Sequence, residues 1–155
     1  SRVDGISLRG QDGQHIQTPR RARTQDLEVL PSPYVAGCFD YLMSETYDFH
    51  ASQETHRGCP YSCTFCDWGS AVFTKIRQFS DERLHSELEW FGKNQIELLY
   101  NCDANFGLLN RDLSLTQKMA ETKKVFGFPQ QFRAAYAKNS NLKVLEIAKI
   151  LKTQG

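Results

Sequence analysis

The sequence predicts an α/β protein built around a parallel β-sheet. Strand-like and helix-like segments alternate from Tyr47 onward in the order βαβαβα, a pattern typical of strands joined by helical crossovers. Ile96 to Cys102 is a mainly apolar run, as expected for a parallel strand covered on both faces. The last two predicted strands begin at Ile96 and Gln131, which is a normal spacing for a βα unit.

The first segment, residues 1–25, is predicted to form a hairpin and a linker. Two short strand-like runs, Gly5 to Arg9 and His15 to Thr18, flank Asp12-Gly13, and Asp-Gly favours the positive φ of hairpin turns. Pro19 to Thr24 is typical of a linker. A lone hairpin cannot bury a face, so we expect this segment to be an attachment to another domain.

Residues 26–47 are predicted to connect this extension to the sheet. Asp26 to Leu30 has the pattern of a short amphipathic turn. Pro31-Ser32-Pro33-Tyr34 is predicted to be a stiff extended corner, because each proline restricts the residue before it. Val35 to Met43 is predicted to be a short helix.

Three helices are predicted from their caps and their apolar spacing. The first spans residues 80–93, where Ser80 is a favoured N-cap and acidic residues follow in the first turn. Its apolar residues recur at helical spacing: Leu84, Leu88 and Phe91. Asp112 is predicted to cap the second helix, which ends at Gly127. Asn141 is predicted to open the third.

Three strand ends are expected to meet. The predicted strands are Phe49 to Thr55, Ile96 to Cys102 and Gln131 to Ala137. The segments that follow them are Cys59 to Cys66, Asp103 to Asn105 and Lys138-Asn139. Right-handed parallel crossovers place all carboxyl ends at one edge of a sheet, where sites in α/β folds lie. We therefore expect the three segments to converge there.

Three cysteines in one loop are the main chemical signal. Cys59, Cys63 and Cys66 have the spacing C-x3-C-x2-C. With three protein thiolates, a cubane iron–sulfur cluster keeps one iron open, whereas a closed zinc site needs a fourth ligand. The candidates for a fourth zinc ligand are His56, His85 and Cys102. A zinc site and a plain electron-transfer cluster therefore remain alternatives at this point.

Composition excludes several classes of function. The formal net charge is +1, with 19 basic and 18 acidic side chains, so no long-range field would collect nucleic acid or an anionic membrane. No run approaches the roughly 18 apolar residues of a membrane span, and the start carries no signal-peptide pattern. Five cysteines, an odd number, suit a reducing compartment with a metal centre. We expect a cytoplasmic protein.

The cysteine motif, preceded by a strand and carrying Phe65 just before its third cysteine, resembles the radical S-adenosylmethionine (SAM) superfamily. Other segments resemble its cobalamin-binding branch: Leu30 to Tyr34, Glu54 to Pro60, Asp103 to Gly107 and Lys138-Asn139. The resemblance implies a TIM-like partial (β/α)6 barrel, of which residues 48–155 would supply the first three βα units. Residues 1–25 would be the tail of a cobalamin-binding domain, and the chain resembles a fragment of a larger enzyme.

The resemblance also implies roles for individual residues. The implied ligands of a [4Fe-4S] cluster are Cys59, Cys63 and Cys66. Phe65 occupies the place of an aromatic residue beside the adenine of SAM, with simple packing as its alternative. Asp103 lies where relatives hold the SAM amino group, although a helix-capping or turn role stays open. The other expected cofactor or substrate contacts are Asn105, Lys138 and Asn139.

The implied activity is reductive cleavage of SAM to a 5′-deoxyadenosyl radical, with methyl transfer to carbon as the foremost outcome. The cobalamin motif Asp-x-His-x-x-Gly of many relatives is not found, so a cobalamin site would lie outside this chain. The expected partners are a small-molecule or peptide substrate and an external electron donor of flavodoxin or ferredoxin type. The rival interpretations are a small iron–sulfur electron carrier, a zinc-stabilised binding module and an inactive truncated product.

Overall fold

A three-stranded parallel sheet lies at the centre of the fold. The computed structural model describes residues 3–22, 24–66, 75–139 and 141–153. The elements are β1 (Ser7–Arg9), β2 (His15–Gln17), β3 (His50–Gln53), β4 (His56–Arg57), β5 (Arg77–Gln78), α1 (Asp81–Lys93), β6 (Leu98–Asn101), α2 (Arg111–Phe126), β7 (Gln131–Arg133) and α3 (Asn141–Thr153). The sheet order is β3-β6-β7, and both pairs are parallel. The predicted α/β class with a parallel sheet is confirmed.

One face of this sheet carries the core. Ala51 is in register with Leu99, and Leu99 with Phe132. Ala51 and Leu99 are buried in the same apolar cluster as the inner residues of the helices, and Phe132 packs against that cluster. On the opposite face, at the next register position, Tyr100 and Arg133 are exposed. The helices therefore cover one side of the sheet among the described residues.

The third strand is shorter than predicted. β7 ends at Arg133 rather than at Ala137. Beyond it, the N–H of Phe106 donates to the carbonyl of Ala135 over 2.9 Å, and the N–H of Ala137 donates to Phe106 over 2.8 Å. The chain after β7 therefore pairs with the segment that follows β6, which prolongs the contact between the two strands beyond the regular ladder.

One predicted helix start is confirmed and another is wrong. The Ser80 hydroxyl accepts the N–H of Arg83 over 3.3 Å at the start of α1. Asp112 is not the cap of α2, because it lies inside the first turn. Its Oδ2 instead accepts the N–H groups of Gly107 (2.8 Å) and Leu109 (2.9 Å), which closes the loop in front of the helix.

The helices pack in chain order, α1 on α2 and α2 on α3. Close approach of the first pair depends on Gly92, where a Cβ would lie 2.6 Å from the Phe126 ring and 2.8 Å from the Thr122 methyl. Gly127 ends α2 in the left-handed conformation with φ of 79°, as predicted. Within the described ranges, no helix has the length and apolar character needed to cross a membrane.

The connector is mostly turns, so the predicted helix at 35–43 is wrong except for one 3₁₀ turn, Asp40–Leu42. Gly37 interrupts it with a φ of +75°, a value outside the helical range. The connector is seated on β3 by Tyr34, whose hydroxyl donates to the Ser52 carbonyl (2.6 Å) and accepts the Ser52 N–H (3.2 Å). The ring packs edge-on against Phe91 at 4.7 Å.

The predicted N-terminal hairpin is confirmed. β1 and β2 pair antiparallel, with Ser7 opposite Gln17, and all residues of both strands are exposed. Gly13 lies in the turn with φ of +79°. The hairpin therefore buries no face of its own, as expected from its length.

Candidate functional site

The cysteine loop leaves the sheet through a short antiparallel ribbon. β4 pairs with β5, so that His56 lies opposite Gln78 and Arg57 opposite Arg77. The N–H of Phe79 extends the pairing by donating to the carbonyl of Thr55 over 3.1 Å. Sequence analysis missed this ribbon because two-residue strands of polar residues carry no alternating apolar pattern. The ribbon holds the two ends of the loop side by side.

Gly58 makes the close approach at the base of the loop possible. Its φ is +112°, and a Cβ at this position would lie 2.7 Å from the carbonyl oxygen of Lys75. L-residues rarely adopt such a φ, and the carbonyl leaves no room for a side chain. Glycine is therefore required here on two independent grounds.

A tight turn presents the second and third cysteines. The N–H of Cys66 donates to the carbonyl of Cys63 over 3.1 Å, and both residues are partly exposed. Phe65 stands at the tip of this turn with 82% of its surface exposed, whereas Cys59 is buried with 8% exposed. The three thiols thus run from the interior of the protein toward its surface.

A cavity of about 230 Å³ joins these thiols to the ends of two further strands. It is lined by the three cysteines with Tyr61, Phe65, Ala104, Asn105, Lys138 and Asn139. The predicted convergence of the three segments at the carboxyl edge of the sheet is confirmed. Sequence analysis assigned no role to Tyr61 or Ala104. The only signal for Tyr61 was its position between the first two cysteines.

The donor set of the cavity fits an iron–sulfur cluster. Cys59, Cys63 and Cys66 are free thiols, and such clusters are held by cysteine thiolates, one on each iron. Within the described residues, no group of three or more Cys, His, Asp or Glu side chains is gathered closely enough to hold a single metal ion. The chemistry of the thiols and the shared cavity, rather than convergence on one point, carry the fit.

The candidates for a fourth zinc ligand lie elsewhere. His56, His85 and Cys102 are all described, and none of them lines the cavity. His56 is fully buried, with its Nδ1 3.2 Å from an Asp103 carboxylate oxygen, and Cys102 is exposed. In this arrangement the ring of His56 serves the packing behind the loop.

Asn105 contacts the first cysteine directly. Its Nδ2 donates to the Sγ of Cys59 over 3.1 Å, and both residues are buried. Sequence analysis expected Asn105 to contact the cofactor but not to bond to a thiol. The contact connects the segment after β6 to the start of the cysteine loop.

Asp103 lies behind the cavity, with its carboxylate enclosed by donors. Oδ1 accepts the backbone N–H groups of Thr55 (2.7 Å) and His56 (3.2 Å), and Oδ2 accepts Nδ2 of Asn101 (3.1 Å) and the Thr55 hydroxyl. Asp103 is 2% exposed and does not line the cavity. A contact to the SAM amino group stays a prediction. The contacts observed here tie the end of β6 to the start of the cysteine loop.

The same contacts control the ionisation of Asp103. Burial alone would raise its pKa, but hydrogen bonding and charge from His56, with hydrogen bonds from Thr55 and Asn101, outweigh burial and lower the pKa below its ordinary value. Asp112 behaves in the opposite way, because burial dominates and raises its pKa. Asp103 is therefore the carboxylate that this region holds in its charged form.

Lys138 and Asn139 lie on the exposed side of the cavity. The Lys138 ammonium has no ion pair or hydrogen bond with any residue that the structure describes. A lysine without a protein partner at the mouth of a cavity can attract a carboxylate from solution. It supplies positive charge next to the thiols.

Two curated proteins are similar in sequence over almost the whole chain. TokK from Streptomyces tokunonensis, named a cobalamin-dependent radical SAM methyltransferase, is 44% identical over 151 residues, which are 95% of this chain and 22% of TokK. A 2-(S-pantetheinyl)-carbapenam-3-carboxylate methyltransferase from Streptantibioticus cattleyicolor is 42% identical over 160 residues, covering 96% of this chain and 22% of that protein. The chain thus spans about a fifth of the length of these relatives. No protein-family model matches it.

A solved structure is similar in fold. The cobalamin-dependent SAM radical enzyme OxsB, with aqua-cobalamin and SAM bound, superposes with a TM-score of 0.53 at 21% identity, over 99% of this chain and 23% of OxsB. OxsB with aqua-cobalamin alone gives a TM-score of 0.52. Together with the two curated relatives, these similarities confirm the resemblance drawn from the cysteine motif.

Proposed function

Because its sequence is homologous to a segment of cobalamin-dependent radical SAM methyltransferases, we propose that this chain is the part of such an enzyme that binds a [4Fe-4S] cluster and SAM. The observation that carries the proposal is the single cavity that unites three free thiols with the ends of β6 and β7. In this proposal residues 48–155 form the first half of a partial (β/α)6 barrel. Residues 26–47 connect it to residues 1–25, the tail of a cobalamin-binding domain.

Cys59, Cys63 and Cys66 hold three irons of the cluster in this proposal, and the fourth iron is left to SAM. When bound, the cluster and SAM supply one electron to the sulfonium and release methionine with a 5′-deoxyadenosyl radical. Burial of Cys59 keeps water from the inner side of the centre. The partly exposed Cys63 and Cys66 face the side from which SAM and the electron donor approach.

The remaining lining residues orient SAM in this proposal. Phe65, 82% exposed at the tip of the turn, offers a ring face on which adenine can stack. The unpaired ammonium of Lys138 pairs with the SAM carboxylate, and the Asn139 side chain supplies amide hydrogen bonds beside it. Asn105 completes the inner wall, where its amide already bonds to Cys59.

The reaction proposed for the whole enzyme is cobalamin-dependent methyl transfer to carbon. The cobalamin is bound outside this chain, the substrate is a small molecule or peptide, and a flavodoxin or ferredoxin supplies the electron. Neither nucleic acid nor a membrane is a partner in this proposal, in keeping with the balanced charge of the chain.

Anaerobic reconstitution with iron and sulfide tests the proposal. The expected result is a four-iron absorbance, an electron paramagnetic resonance (EPR) spectrum that changes when SAM is added, and 5′-deoxyadenosine after reduction with dithionite. A cluster whose EPR spectrum ignores SAM, with no 5′-deoxyadenosine formed, would instead identify an electron carrier. Stoichiometric zinc with no sulfide uptake would identify the zinc-stabilised module. Either outcome overturns the proposal.

A further inference from the structure

We propose that Asn105 sets the reduction potential of the cluster through its hydrogen bond to Cys59, an inference that rests on the proposed function. The Nδ2 donor lies 3.1 Å from Sγ. Asn105 is 2% exposed and Cys59 is 8% exposed. Water therefore does not compete for either partner, and the bond acts in a medium of low dielectric constant.

The chemical effect follows from the charge on sulfur. A thiolate bound to iron carries partial negative charge, and one-electron reduction of a cluster adds negative charge to its sulfurs. An N–H donor aimed at the sulfur is therefore bound more strongly in the reduced state. Hydrogen bonds to sulfur are among the features that set cluster potentials. The contact makes the cluster easier to reduce.

The Asn105 amide is held in place by its neighbours. The Asn105 carbonyl accepts the N–H of Leu108 over 3.1 Å, and the next residue, Phe106, is bonded to Ala135 and Ala137 on the far side. Two residues earlier, the Asp103 carboxylate is fixed by its donors from Thr55 and Asn101. The donor is therefore positioned by the protein itself, before any cluster is bound.

The contact also distinguishes one thiol from the other two. Within the described ranges, neither Cys63 nor Cys66 accepts a side-chain hydrogen bond, whereas Cys59 does. The iron on Cys59 therefore has a different environment from the irons on the more exposed cysteines. Asn105 is accordingly assigned as a positioning and tuning residue of the cluster.

The test is a redox titration of the reconstituted chain, monitored by EPR without SAM. Asn105→Ala should lower the midpoint potential, with an expected tenfold change in the reduction equilibrium constant, or about 59 mV for one electron. Asn105→Asp, which replaces the donor by a carboxylate oxygen of similar shape, should lower it further. Asn139→Ala is the control, because Asn139 lines the same cavity without contacting a thiol. Equal potentials in the parent and in Asn105→Ala would overturn the inference.

A second measurement tests the contact without a cluster. Unfolding of the metal-free parent, Asn105→Ala, Cys59→Ala and the double variant forms a double-mutant cycle, in which contacting residues show non-additive effects. Additive effects would contradict the contact and with it the inference. If the parent cleaves SAM while Asn105→Ala leaves its potential unchanged, only the tuning role fails. If the parent takes up no cluster, the proposed function fails and the tuning role fails with it.

Discussion

Thr55 and Asp103 are joined twice across two neighbouring strand ends. The Thr55 N–H donates to Oδ1 over 2.7 Å, and its hydroxyl donates to Oδ2. Thr55 lies just before the ribbon that opens the cysteine loop, and Asp103 lies just after β6. The position of the first cysteine relative to the second strand therefore depends on this pair.

Replacing Asp103 should destabilise the protein. In Asp103→Asn an amide NH₂ faces the donors of Thr55, His56 and Asn101, so buried N–H groups lose their acceptor. The expected loss is about 2 to 4 kcal/mol in the free energy of unfolding, measured by urea denaturation. Asp48→Asn at an exposed position is the matched control and should change stability by less than about 0.5 kcal/mol. Equal effects of the two substitutions would contradict the role of Asp103 as a buried brace.

The stabilising effect of Asp103 should disappear in acid. Its folded-state pKa is lowered, so proton uptake favours the unfolded chain as the pH falls. The contribution is complete above the unfolded-state pKa and is lost as the pH falls through the folded-state pKa. The stability difference between the parent and Asp103→Asn should therefore be constant near neutral pH and shrink below about pH 4. A difference that grows on acidification would contradict the sign of this shift.

Two glycines with positive φ should respond differently to alanine. At Gly13 a Cβ would meet nothing within 4 Å, whereas at Gly58 it would lie 2.7 Å from a backbone carbonyl. Gly13→Ala should cost about 1 kcal/mol from backbone strain alone, and Gly58→Ala roughly twice that or more. Thermal denaturation measures both, and cluster uptake should fall only in Gly58→Ala. Equal costs would show that the base of the loop can open to admit a methyl group.

Each cysteine of the loop should be required for the cluster. Cys59→Ala, Cys63→Ala and Cys66→Ala are expected to abolish the four-iron absorbance, because each removes the thiolate of one iron. Cys38→Ala is the control, since Cys38 is exposed and does not line the cavity. Iron and sulfide analysis after reconstitution makes the comparison. Survival of a four-iron cluster in all three loop variants would show that the ligands are misassigned.

Phe65 should contribute to SAM binding without affecting the cluster. Loss of an aromatic stacking surface costs about 1 to 3 kcal/mol per base, so Phe65→Ala should weaken SAM affinity by about tenfold. Equilibrium dialysis with labelled SAM measures the change, and the absorbance of the cluster should stay that of the parent. Tyr41→Ala, at an exposed aromatic residue away from the cavity, should have no effect. An unchanged affinity in Phe65→Ala would exclude stacking.

Local features were predictable because they depend on adjacent residues. The cap at Ser80, the stop at Gly127 and the Asp-Gly hairpin turn follow from backbone preferences over a few positions. The meeting of three strand ends followed from the topology of parallel sheets. These rules placed the thiols, Asn105 and Lys138 around one cavity.

The contacts within the site could not be predicted in this way. Asp103 bonds to Thr55 across 48 positions and Asn105 bonds to Cys59 across 46, and no local pattern reports which side chains face each other over such separations. An aspartate after a strand has the same sequence signature whether it faces a ligand or the interior. The same holds for Asp112, whose acceptance of two loop N–H groups was mistaken for a helix cap.

The ribbon of β4 and β5 has a consequence for the durability of the centre. Its bonds join backbone groups outside the cysteines, so the closure of the loop is supplied by the polypeptide rather than by iron. Oxygen that strips iron from the thiols should therefore leave both ends of the loop where they were. We expect that repair after oxidative damage needs only reduction and new iron and sulfide, without refolding of the surrounding sheet.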